Sequence, residues 1–241
     1  MIRKPSAGCA AAALCALALA GCGVPPAGSE GEDRRETVVI EKILAQGAER
    51  ITAEIQMGAG ELSVSGGGKE LLEADFTYNL PALKPRVQFE ESGFRRRLSI
   101  SHGNPPPAIG NIRNIWEIRL GGGVPLDLAI RCGAGESRLD FREVPLRSLE
   151  MNLGVGEVRA DLRMNLDHDV EVKISGGVGR AEVLVPSEGV EATAQGGIGN
   201  IQVMGLEKDD GRWKSAKAGK TTGRLKLEVR GGIGEIVIRA E

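Results

Sequence analysis

From Leu126 to the C-terminus, apolar and polar residues alternate in short runs. Residues 126–130 (LDLAI), 149–153 (LEMNL), 170–174 (VEVKI), 190–194 (VEATA) and 225–229 (LKLEV) each place an apolar side chain at every second position. A second run follows most of them, over 157–162, 180–185, 200–203 and 235–238. A period of two predicts β-strands with one buried face. Between the paired runs stands Gly-x-Gly. It occurs six times, as GAGELSV from Gly58, GAGESRL from Gly133, GVGEVRA from Gly154, GVGRAEV from Gly177, GIGNIQV from Gly197 and GIGEIVI from Gly232. From Gly133 onward the first glycines lie 21, 23, 20 and 35 residues apart, the last gap being widened by a polar insertion over 206–222. Turn-forming stretches such as NLDHD (165–169) and VPSEG (185–189) separate the repeats.

A regular period of this length points to stacked repeats, each unable to bury its apolar side alone. Each rung reads as strand, glycine corner, strand, loop. The expected fold is all-β, a single-domain β-solenoid in which parallel rungs of about 20 residues turn at Gly-x-Gly corners. The corner glycines Gly58, Gly60, Gly133, Gly135, Gly154, Gly156, Gly177, Gly179, Gly197, Gly199, Gly232 and Gly234 are expected to take positive φ or to let the backbone pack closely. Valine at Gly177 or Gly197 would then cost more than about 1 kcal/mol if those positions have positive φ. Stacking in chain order would align Glu136, Glu157, Arg180, Asn200 and Glu235 in one exposed column, and Arg138, Arg159, Glu182, Gln202 and Val237 in a second. Charge pairing along a solvated face accounts for both columns without a ligand. The less regular stretch from Lys69 to Pro107, with strand-like FTY, RVQF and LSIS and with Phe76, Tyr78, Phe89 and Phe94, reads as a cap or as an extended first turn of the solenoid.

The N-terminus has a different pattern. Arg3 and Lys4 precede an apolar run, Ala7 to Ala20, that is too short to span a bilayer and fits a secretory signal. It ends in LAGC (19–22), which resembles a bacterial lipobox. That resemblance implies cleavage before Cys22, acylation of Cys22 and attachment to a membrane, the outer membrane where one exists, since Gly23 follows the cysteine. Residues 1–21 are thus expected to be a lipoprotein signal peptide, 22–36 a lipidated cysteine with a flexible tether, and 37–241 the solenoid.

Composition narrows the chemistry. The net charge of −2 and the scatter of basic residues argue against nucleic acid. With Cys9 and Cys15 lost in the signal and Cys22 acylated, only Cys132 remains, read as a small structural residue. The double-glycine copies resemble calcium-binding nonapeptides, but the ligand position holds Ala181, Ile201 or Ile236. The phosphate-loop pattern at Gly219-Lys-Thr fails at Lys214, and His102 and His168 do not make a zinc set. Asp140 and Asp161, the outward acids a solenoid glycosidase would need, alternate with arginine as on any solvated face. The stretch Lys208 to Lys220, basic in its second half and with Trp213 read as exposed, reads as a solvated excursion between rungs or as a contact for anionic lipid or another protein. No enzyme, cofactor or metal site is expected.

The stretch MGAGELSVSGGGKELLEADFTYNLPALKPRV (57–87), followed by the Gly-x-Gly rungs, resembles the toast-rack family of bacterial envelope domains and the C-terminal domain of LiaF-type cell-wall-antibiotic response proteins. The resemblance runs from about residue 37 to 241 and implies a right-handed stack, an envelope role linked to stress, and no established chemistry. The chain departs from LiaF-type proteins in having the lipid anchor expected at Cys22 in place of membrane-spanning helices. The expected function is that of a lipid-anchored, non-enzymatic envelope platform for a protein partner. The alternative is adhesin-like binding of cell-wall or surface polysaccharide.

Overall fold

A computed structural model of the chain describes residues 33–40, 50–92, 95–103, 112–121, 123–215 and 221–241. The expected signal peptide, Cys22 and nearly all of the expected tether lie outside these residues. The strands are β1 (Arg34–Ile40), β2 (Arg50–Gly68), β3 (Leu72–Tyr78), β4 (Pro85–Ser92), β5 (Arg95–His102), β6 (Asn114–Gly121), β7 (Leu126–Asp140), β8 (Leu146–Asp161), β9 (Val170–Val185), β10 (Val190–Met204), β11 (Glu207–Asp209), β12 (Arg212–Lys214) and β13 (Leu225–Ala240). β1 starts inside the stretch read as tether, where Arg34, Arg35 and Glu36 pair antiparallel with Tyr78, Thr77 and Phe76 of β3.

Six of these strands, β2, β7, β8, β9, β13 and β10, run unbroken through their Gly-x-Gly and pair in parallel with glycine on glycine. They must be folded back on themselves. The 15 residues of β7 would span about 50 Å if straight. The short link 141–145 reaches about 20 Å at most. Yet it returns the chain to the start of the same rung, where the Leu126 N–H donates to the Pro145 carbonyl at 2.8 Å. The bend lies at Gly133–Gly135, and each rung is a V with two arms.

The bend also changes which residues face inward. In β7 the buried positions are 126, 128, 130 and 132 before the corner but 137 and 139 after it, so the alternation slips by one. Both arms then turn their apolar faces into the V. Cys132 and Ser137 meet across the apex, where the Ser137 hydroxyl donates to Sγ at 3.8 Å. One apolar core runs the length of the stack between the arms, built from Val, Ile, Leu and Ala.

Rung order departs from chain order. The stack runs β2-β7-β8-β9-β13-β10, with the C-terminal strand inserted between β9 and β10. The first exposed column is therefore Glu61, Glu136, Glu157, Arg180, Glu235, Asn200. Insertion gives Arg180 an acidic neighbour, Glu235 at 3.4 Å, where chain order would have offered Asn200. In the second column Val237 follows Glu182 and precedes Gln202. Val237 stands in this outer column, but it is not solvated as expected: it is 1% exposed.

The described residues between 69 and 103 form the expected cap, together with β6 and β1. β5 covers the first arm of β2 and carries β4 on its far side; β6 covers the second arm, followed by β3 and β1. Phe76 and Trp116 pack edge to face at 5.3 Å between ring centres. Phe94 lies outside the described residues.

Candidate functional site

The corners have one geometry, but the two glycines of each pair are needed for different reasons. The second glycine, at 60, 135, 156, 179, 199 and 234, has φ between +132° and +145°. At Gly179 a side chain would be strained there, and its Cβ would also fall on the Gly156 carbonyl oxygen of the rung below. The first glycine has no positive φ, so the strain expected at Gly177 and Gly197 does not exist. Close approach applies instead: a Cβ on Gly177 would collide with the Gly154 carbonyl, and one on Gly197 would sit 2.5 Å from that of Gly232.

Where β2 has no corner below it, side chains supply the contacts. The Gly58 N–H donates to His102 Nε2 at 2.8 Å, while His102 Nδ1 meets the Gly103 carbonyl. Asn114 Nδ2 donates to the Ala59 carbonyl at 2.7 Å, and Trp116 Nε1 donates to Asn114 Oδ1 at 2.8 Å. His102, considered in the sequence only as a missing zinc ligand, is thus part of the plug that closes this end. No local sequence signal marks that role, because its partner lies 44 residues away.

Residue x of each motif points outward at the apex. In stack order these are Ala59, Ala134, Val155, Val178, Ile233 and Ile198. They form an apolar ridge whose side chains grow from the capped end to the far end, and the last of them, Ile198, is 72% exposed. No alternating pattern marks the ridge in the sequence, because x lies between two glycines and belongs to neither run. Below its far half, Gly176, Gly231 and Gly196 replace the inward Met57, Cys132 and Leu153 of the first three rungs, leaving a small, mainly apolar cavity of about 40 Å³.

The outward acids are occupied. Asp140 takes two hydrogen bonds from the Arg142 guanidinium, at 2.9 and 2.6 Å, and Asp161 takes two from Arg163, at 3.0 and 2.8 Å. Those bonds hold both carboxyls below the usual range. A depressed folded-state pKa stabilises above the unfolded value of about 3.9 and is lost as pH falls through the folded value. The melting temperature should therefore fall as the pH drops below about 4, and less steeply in a D140N/D161N variant. Equal slopes in a melt series would show that the pairs do not matter. Cys132 is buried, and desolvation raises its thiol pKa, against a lowering by the Ser137 hydrogen bond. That is the opposite of an activated nucleophile. Trp213 is half-buried and packs on the core, with Lys208 Nζ 5.2 Å from its ring centre, so it is not the exposed aromatic expected. Among the described residues no three His, Cys, Asp or Glu cluster as metal ligands, and no helix is long and apolar enough to cross a membrane.

Comparison with known proteins agrees with this architecture. The chain has no significant match among curated proteins. Among solved structures it is similar to a proposed cell adhesion protein from Clostridium sporogenes, 28% identical, with a TM-score of 0.81 over 87% of this chain and 100% of that one. Proposed adhesins from Bacteroides fragilis (12% identical, 86% of this chain and 97% of that one, TM-score 0.28) and Parabacteroides merdae (9% identical, 88% and 97%, TM-score 0.26) also align. A family profile described as the N-terminal domain of toast_rack, DUF2154, matches residues 29–184, which is β1 to β9 and more than half the sequence. With rungs, cap and corners all in place, the chain belongs to the toast-rack family.

Proposed function

We propose that this protein is a non-enzymatic component of the bacterial cell envelope, held to a membrane by an acylated Cys22, whose stack is a rigid platform for a protein partner. The observation that carries the reading is the apolar ridge along the corners. Monomeric proteins seldom expose contiguous apolar residues in a line without a use for them. Parallel rungs locked glycine on glycine hold such a line straight, which suits a partner that docks along several rungs. The paired acids and the buried thiol supply no group free for catalysis. The apolar run ending in LAGC supports the anchor, and the likeness to LiaF-type domains supports a role in envelope stress.

An adhesin-like role, binding wall or surface polysaccharide, is the second reading. The Clostridium sporogenes relative favours it. Sugar rings pack on exposed aromatic faces, whereas here Trp116 is buried and Trp213 half-covered.

In-cell photo-crosslinking with probes at Ala59, Ala134, Val155 and Val178 separates the two. One dominant protein adduct from ridge positions, absent from probes on the outer faces of the arms, is the expected result. Adducts to glycan alone would favour adhesion, and no adduct at any ridge position would remove the platform. Incorporation of labelled palmitate into the parent chain, and its absence from a Cys22→Ala variant, tests the anchor; no label in the parent chain would overturn it.

A further inference from the structure

The two ends of the stack differ. The first rung is closed by β5, β6 and the His102–Asn114–Trp116 plug. Among the described residues the last rung, β10, is covered on its outer side only from Val190 to Ala192, by Ser215 and by Lys214 and Trp213 of β12. Among the described residues its backbone from Thr193 to Met204 has no strand partner on that side. Natural sheets protect free edges with charge or proline. The other free edges here do so: β1 carries Arg34, Arg35 and Glu36; β4 carries Pro85, Arg86, Glu90 and Glu91; β11 is Glu-Lys-Asp. The segment 193–204, TAQGGIGNIQVM, has neither a charge nor a proline, and it exposes Ile198, Ile201 and Met204.

The missing charges lie at particular positions. In the two outer columns Glu61, Glu136, Glu157, Arg180 and Glu235 give way at the last rung to Asn200, and Arg138, Arg159 and Glu182 lead beyond Val237 to Gln202. A foreign partner could use a charge there by offering its opposite. A second copy could not do so at Asn200, because a two-fold axis through Gly199 brings that position close to its own image. Amides are what self-pairing requires. The free stretch 194–204 is also centred on the corner glycine Gly199, so a two-fold through the corner would lay the arm after the bend on the partner's arm before it. Segments of the chain outside the described residues make poor occupants: 23–32 and 104–111 are rich in proline and glycine, and 216–220 holds two lysines.

We infer that β10 is a homodimer edge, at which two copies join end to end through 193–204. Because the opposite end is capped, the assembly closes at two and does not grow into a fibre. Dimerisation would join the two apolar ridges at Ile198. The inference does not depend on the ridge having a partner of its own.

The test uses the full chain in membranes of intact bacteria, co-expressed with two different epitope tags. Gln202→Cys is placed in one tagged copy and Gln195→Cys in the other, with Gln88→Cys on β4 and the parent chain as controls, and a short bismaleimide is added. The expected product is an adduct of twice the chain mass carrying both tags, from the β10 positions only. Adding Asn200→Glu to both copies should reduce it by roughly tenfold, since like charges would then lie close together across the axis. Position 200 is exposed, and an unchanged melt would show that the variant folds. No adduct above the controls, an adduct lacking the second tag, or a yield unaffected by Asn200→Glu in a folded variant would each overturn the inference.

Discussion

Alanine at Gly179 should lower the melting temperature by roughly 10 °C, while alanine at Gly176 should raise it slightly. The two positions are in one rung, β9, and the substitution adds the same methyl group. At Gly179 the backbone has φ +142° and the new Cβ meets the Gly156 carbonyl of β8. Strain of about 1–3 kcal/mol is compounded by a contact that neither rigid rung can relieve, for a total of about 3 kcal/mol. For a chain of this size each kcal/mol moves the midpoint by about 2–4 °C. Gly176 has no positive φ, and nothing lies within 4 Å of where its Cβ would be. That Cβ would enter the cavity under the ridge and remove unfolded-state freedom, a gain of about 0.4–1 kcal/mol. Paired thermal melts decide the matter. If both variants lose stability alike, the difference between corner and cavity positions is wrong.

Trp116→Ala should cost about 3–5 kcal/mol, the usual loss for a large aromatic in a core. Trp116 is 0% exposed, and its Nε1 holds the Asn114 side chain that caps the Ala59 carbonyl. Stacked repeats add their stabilities through nearest neighbours, so the loss should be local. Hydrogen exchange should accelerate in β2, β3 and β6 well before β9 and β13. Trp116→Phe keeps the edge-to-face contact with Phe76 but loses the hydrogen bond, and should fall between the two. Uniform loss of protection along the stack would mean that the cap is not a separable unit.

The alternating runs and the repeated Gly-x-Gly were enough to establish the strands, the corners and the parallel array, whereas they left the stretch after Lys69 as either a cap or an extended first turn. Each is a local property: a period of two marks a buried face, and a residue without Cβ is needed wherever backbones approach closely. The lengths 126–140 and 141–145 even imply the V shape, because a link that short cannot return an extended strand to its start. The sequence could not order the rungs. All six carry the same pattern, so any two could pair; side-chain fit across the rungs, seen in the Arg180–Glu235 pair and the burial of Val237, places β13 between β9 and β10. Only the tertiary structure revealed His102 as a plug, the ridge of x residues and the open end at β10. These depend on which rung has a neighbour on each side, a property of the stack that no single rung encodes.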